Sequence, residues 1–182
     1  EYFEEFIDEI LKSGIQIVYV HARNAVLNGI SPKANRTIPP LNYDFVTKIK
    51  SKFPNITFVL NGGIDSIDKA LDLSKNHDGI MLGRLIQNNP FCLKNVDKLF
   101  FNHPHDYKIS ENTIREYFSF IKPIIGTESI YRLLSPLLNI FFGVPNGKQF
   151  KIDIHENMQE QNFDVLEKIF LNFVREKELL IN

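Results

Sequence analysis

The chain has 182 residues, 43% hydrophobic and 24% charged, with a net charge of −1. That is a globular composition with room for one large domain or two modest ones, and it excludes a global pull toward nucleic acid. No apolar run approaches the roughly 18 residues of a membrane span, so no membrane association is expected, and the single cysteine, Cys92, excludes an internal disulfide framework or a cysteine-based metal site.

The first element is an amphipathic helix. Phe3, Phe6, Ile7, Ile10 and Leu11 repeat at helical spacing, and Ser13-Gly14 stops them. A helix already under way at residue 3, with no initiator Met, suggests a chain cut from something longer. The apolar run 15–20 predicts a strand covered on both faces, followed by a polar loop over 24–40 that ends in Pro39-Pro40. Asn42 is placed to cap a helix carrying Phe45, Val46 and Ile49, which Pro54 terminates. A second strand, 56–60, ends at Asn61-Gly62-Gly63, and Asp65 or Ser66 can cap the helix of Ile67, Ala70, Leu71 and Leu73. The third strand, 79–82, ends at Gly83-Arg84, and Asn89-Pro90 opens a helix with Leu93, Val96 and Leu99. Cys92 reads there as a small buried apolar residue.

Strands alternating with helices imply a parallel sheet. Three such units fall short of a barrel, which takes eight units and roughly 250 residues, so the arithmetic points to part of an α/β fold. After Phe101 the pattern changes. His103-Pro104-His105-Asp106 reads as a linker, and helices follow over 114–125, 129–142, 149–157 and 163–180. The last carries a stripe of Leu166, Ile169, Phe170, Phe173 and Val174 that reads as core. These residues predict a small helical bundle.

The chemistry lies at the strand ends, where parallel α/β sheets bind ligands. Gly62 and Gly63 lack a Cβ and let backbone amides approach a phosphate, and the helix beginning near Asp65 adds positive dipole character. Gly83-Arg84 offers a further amide and a guanidinium able to grip phosphate with two bonds. His21, at the end of the first strand, can contact an anion, move a proton near neutral pH, or be structural. Between His21 and Lys52, Arg23, Lys33, Arg36, Lys48, Lys50 and Lys52 face one acid, Asp44; this excess either steers a polyanion or is ordinary solvated surface. Lys148 and Lys151 share a helical face after the Pro145-Asn146-Gly147 break, where an external anion or water would meet them. His103 and His105 lack companion ligands, so no metal site is expected, and no Ser/His/Asp arrangement is present.

Taken in order, the run from His21-Ala22-Arg23 through Lys33 and Arg36 to Tyr43, then Asn61-Gly62-Gly63-Ile64, then Asp78-Gly79-Ile80-Met81-Leu82-Gly83-Arg84, Asn89-Pro90 and Gly143 to Lys151, resembles the tRNA-dihydrouridine synthases, specifically their A-type branch. The resemblance covers essentially the whole chain. It implies the C-terminal three βα units of a TIM (β/α)8 barrel, in residues 1–102, followed by a small helical tRNA-binding domain in 103–182. The implied activity is reduction of the C5–C6 double bond of tRNA uridine, with FMN as cofactor and NADPH as electron source. Hydride goes to C6 and a cysteine acid protonates C5. His21, Asn61, Gly62, Gly63, Gly83 and Arg84 fall on family positions that hold the flavin, mostly around its phosphate. Lys33, Arg36, Lys148 and Lys151 fall on positions that contact tRNA; the last two stand where related sequences often carry Arg. The partner is tRNA, and the parent is expected to be a monomer. The catalytic cysteine and a flavin-contacting lysine are expected upstream of this chain, so no residue here is assigned as catalytic, and the 182 residues alone are expected to be inactive. Two rival readings are a small-molecule FMN barrel oxidoreductase of the dihydroorotate dehydrogenase type and a non-catalytic tRNA-binding module.

Overall fold

The computed structural model describes residues 2–103, 109–159 and 162–177, and the chain divides into two compact units, Glu1–Leu85 and Ile86–Asn182.

In the first unit α1 (Tyr2–Leu11) leads to β1 (Ile17–His21), the short α2 (Pro32–Asn35), α3 (Tyr43–Lys52), β2 (Thr57–Asn61), α4 (Ile67–Ser74) and β3 (Gly79–Met81). The strands form one parallel sheet in the order β1-β2-β3. The caps follow the sequence: Asn42 accepts from the Phe45 amide at 3.0 Å, and Ser66, rather than Asp65, accepts from the Lys69 amide at 3.2 Å. α2 was not expected inside the polar loop. Ser31 caps it, Pro32 takes the first-turn position where a missing N–H costs nothing, and the Asn35 side chain bonds both the N–H and the C=O of Val26 at 2.7 Å.

The sheet buries Val20, Phe58 and Leu60 with Val46 and Ile49 of α3, Ala70 of α4 and Ile7 of α1. Its other face differs from expectation. Ile17 is 54% and Tyr19 64% exposed, so the apolar run of β1 is covered on one face only within this unit. At the opposite edge from the ligand-type residues, the Asp78 carboxylate accepts from the Phe58 amide at 3.0 Å and pairs with Lys50 at 2.7 Å. Burial works against the charged form, but Lys50 and the Phe58 N–H outweigh it and hold the carboxyl below its usual range.

α5 (Arg84–Asn88) crosses the division. Asn89-Pro90 then opens a 3-10 segment, Pro90–Asn95, before α6 (Val96–Phe101), where one longer helix was expected. The second unit continues with α7 (Glu111–Ile121), α8 (Ile130–Leu134), α9 (Gly147–Gln159) and α10 (Phe163–Lys177). The helix expected over 129–142 stops at Leu134, two residues before Pro136, and consecutive turns carry the chain onward. Helix α10 packs on α7 and α9. The core joins Ile114, Phe118 and Ile121 to Phe141, Phe150, Ile154, Leu166, Phe170, Phe173 and Val174. The expected stripe is therefore core, with Ile169 at its partly buried margin. The expected domain boundary at 102/103 lies 17 residues beyond the Leu85/Ile86 division, because Phe91, Leu93 and Val96 line a cavity together with Ile109, Thr113 and Ile140 of the second unit. Pro104, His105 and Asp106 of the expected linker, and the expected helical residues past 177, lie outside the described residues. Among the described residues no helix is long and apolar enough to cross a membrane, and no group of three His, Cys, Asp or Glu is placed to hold a metal.

Candidate functional site

Strand register assembles the site. His21 of β1 lies beside Asn61 of β2, and Asn61 beside Met81 of β3, so the carboxyl ends of all three strands share one edge. Gly62-Gly63 and Leu82-Gly83-Arg84 continue from that edge. The six residues expected to hold a flavin, His21, Asn61, Gly62, Gly63, Gly83 and Arg84, are thus contributed by three adjacent strand ends.

The glycines are required. Gly62 has φ +123° and Gly63 φ +60°, backbone states that side chains rarely adopt. A Cβ on Gly63 would sit 2.4 Å from Leu41 Cδ1, and one on Gly62 3.3 Å from His21 Cε1. Two residues that sequence reasoning did not single out fix this turn. Tyr43 Oη donates to the Gly62 carbonyl at 2.8 Å, and Lys69 Nζ to the Gly63 carbonyl at 2.8 Å. With both carbonyls tied back, neither glycine amide donates to a backbone carbonyl among the described residues. These partners are 19 and 6 residues away in sequence; only the Asn42 cap hinted that Tyr43 begins a helix docked here.

The surroundings are cationic. Burial first, then the charges of Arg23 and Arg84, push the His21 imidazole below its ordinary value. Arg23 donates to the Pro39 carbonyl, and its Nε is buried without a partner. A Cβ on Gly83 would meet nothing within 4 Å. Unengaged amides, an orphaned guanidinium nitrogen, the Arg84 guanidinium and open space at Gly83 make a donor set that suits a phosphate.

The loop carrying Lys33 and Arg36 is anchored to this edge at its far end. The Asn42 amide donates to the Ala22 carbonyl at 2.8 Å, and Arg84 Nη2 reaches the Arg36 carbonyl at 3.4 Å. Lys33 lies in α2 and Arg36 caps it; both are exposed, and neither pairs with a carboxylate among the described residues. The expected basic excess is smaller than its count, since Lys50 pairs with Asp78 and Lys52 with Glu4 at 2.5 Å.

In the helical unit, Lys148 and Lys151 stand exposed on the first turns of α9, opposite in sense to its dipole. Phe150 and Ile154 turn the other face into the core. Lys151 Nζ donates to Asn139 Oδ1 at 2.8 Å. Cys92 sits in the 3-10 segment after β3, half-buried, where burial raises its thiol pKa and keeps it protonated.

Comparison with known proteins decides the family. The dihydrouridine synthase (Dus) family model matches residues 1–176. The chain belongs to the dihydrouridine synthase family. Curated relatives include the tRNA-dihydrouridine(20/20a) synthase of Xanthomonas axonopodis pv. citri, 34% identical over 150 residues, 82% of this chain and 44% of that protein. The protein of the same name from Vibrio cholerae is 34% identical over 160 residues, 86% of this chain and 49% of its own length. The one from Vibrio vulnificus is 28% identical over 183 residues, 98% and 56% respectively. This family member thus spans about half the length of the curated relatives it matches.

Proposed function

We propose that these 182 residues supply the flavin-phosphate edge and two tRNA contacts of an A-type tRNA-dihydrouridine synthase. The observation that carries this is the shared edge of His21, Asn61-Gly62-Gly63 and Gly83-Arg84, with a basic loop anchored beside it. The sheet is read as three βα units of a (β/α)8 barrel, residues 103–182 as the RNA-binding helical domain, and the protein as a monomer.

His21, Arg84 and the amides of Gly62, Gly63 and Gly83 would hold the FMN phosphate, with Asn61 fixing the start of the turn. Bound there, FMN supplies the reducing equivalents, drawn from NADPH, for the C5–C6 double bond of tRNA uridine. Lys33 and Arg36 on one unit and Lys148 and Lys151 on the other would neutralise phosphates of the RNA. Lysine keeps the charge of an arginine without its planar fork, so Lys148 and Lys151 contribute affinity more than orientation. The proton donor is assigned to a cysteine outside this chain, because Cys92 lies past the third strand, in the 3-10 segment of the second unit. By themselves the 182 residues are therefore expected to form no dihydrouridine.

Binding of unmodified tRNA across a salt series tests the RNA half of this reading. In the full-length protein, Lys148→Ala with Lys151→Ala should weaken binding and reduce the magnitude of the log–log salt slope by about 2, since each phosphate contact contributes about 0.9. Flavin content should stay constant. Loss of flavin with an unchanged slope would reject the assignment of those lysines.

A further inference from the structure

The helical unit contains a cavity that neither the flavin edge nor the phosphate contacts explain. It measures about 640 Å³ and lies between the segment 86–90, α8, the turns after it and α9. That is within the range of small-ligand sites. Its walls carry the Tyr131 ring, the Asn139 amide, the Lys151 ammonium and the His155 imidazole over an apolar floor that includes Pro90 and Met158. No aspartate or glutamate lines it.

The polar groups are arranged rather than scattered. Asn139 Nδ2 donates to the Gln87 carbonyl at 2.7 Å, which turns its Oδ1 toward Lys151 Nζ at 2.8 Å. The ammonium is steered by that single bond, with two of its three donors left over. His155 follows Lys151 by four residues on α9 and so shares its face. Tyr131 is 61% exposed, and its hydroxyl makes no hydrogen bond among the described residues. An exposed aromatic face, a cation and an imidazole on one wall, an orientable amide and no carboxylate form the chemistry that receives one unstacked nucleotide: the ring stacks the base, and the ammonium and the imidazole N–H meet its phosphate.

We propose that this cavity is a subsite for a single unpaired nucleotide of the tRNA substrate, with Tyr131 as its stacking platform. The inference rests on the tRNA reading above and is continuous with it through Lys151. It adds a contact of a different kind, one that acts through a base rather than through charge.

Because stacking releases no counterions, it separates from phosphate contact in a salt series. With full-length protein and unmodified tRNA, Tyr131→Ala should weaken binding roughly 5- to 150-fold, the range of base–aromatic stacking, with the salt slope unchanged. Tyr131→Phe should stay within about twofold of wild type, which separates loss of the ring from loss of the hydroxyl. Lys151→Ala should lower the slope by about 1. Thermal melting of each variant checks that the helical unit stays folded, and cross-linking of 4-thiouridine-substituted tRNA should label the Tyr131 peptide. If the wild type binds tRNA and Tyr131→Ala binds equally well, with no label at Tyr131, the subsite is rejected while the tRNA reading stands. If the wild type binds no tRNA, both fall. Should free uridine monophosphate bind at micromolar concentration and depend on Tyr131 while tRNA does not, the cavity takes a free nucleotide and the proposal is overturned.

Discussion

Replacing Phe170 with alanine should cost the helical unit about 3–5 kcal/mol, the range for truncating a fully buried phenylalanine. Phe170 is completely buried, and its ring centroid lies 5.0 Å from that of Phe150 and 5.5 Å from that of Phe118. The Phe150 ring in turn lies tilted 4.5 Å from that of Phe173 and edge-on 5.1 Å from that of Phe141. The aromatic cluster therefore ties α7, α9 and α10 together with the turns after α8, and removing its centre leaves a void that no single neighbour can fill. Such a loss is comparable with the whole stability of a small domain. Phe150 lies between Lys148 and Lys151 on α9, so the exposed, lysine-bearing side of that helix should lose its order at the same time. Urea denaturation followed by circular dichroism measures the loss. Phe120→Ala, at a position 71% exposed on α7, is the control and should change stability by no more than about 0.5 kcal/mol. Equal effects at the two positions would contradict the packing described.

Gly63→Ala should damage the edge proposed to hold the flavin phosphate more than any charge change there. The backbone at φ +60° costs a non-glycine residue about 1–2 kcal/mol, and the new methyl group would lie 2.4 Å from Leu41 Cδ1. Leu41 can rotate, but it belongs to the segment Pro39–Tyr43 through which the basic loop is anchored to the turn. Its displacement should loosen the Tyr43 and Lys69 bonds that hold the two glycine carbonyls back. In the full-length protein, FMN affinity is expected to fall at least about tenfold while riboflavin, which lacks the phosphate, is bound as before. A uniform loss of both would indicate collapse of the fold instead, and unchanged FMN binding would remove the turn from the phosphate site.

Most of this architecture was legible in the chain, for identifiable reasons. Capping is local: Asn42 and Ser66 were readable because the bond each makes reaches only three residues ahead. The stripe on α10 was readable because its period survives over 15 residues. The coverage of β1 was not, since an apolar run says that a strand can be buried on both faces and not what covers it. Ile17 and Tyr19 remain open within the first unit. Charge counting also misled, because Lys50 and Lys52 find Asp78 and Glu4 across 28 and 48 residues, a pairing no spacing rule reveals. Non-locality hid Tyr43 in the same way; it reads as the first residue of a helix until the fold brings its hydroxyl to Gly62. Motif glycines and arginines were visible as ligand-type residues, whereas the side chains that aim them were not.

The dihydrouridine content of unmodified tRNA after incubation with the full-length protein, FMN and NADPH tests the central claim most directly. Dihydrouridine should accumulate in the tRNA, while orotate and small enoates should not be reduced. Reduction of those small molecules with the tRNA left unmodified would contradict that claim.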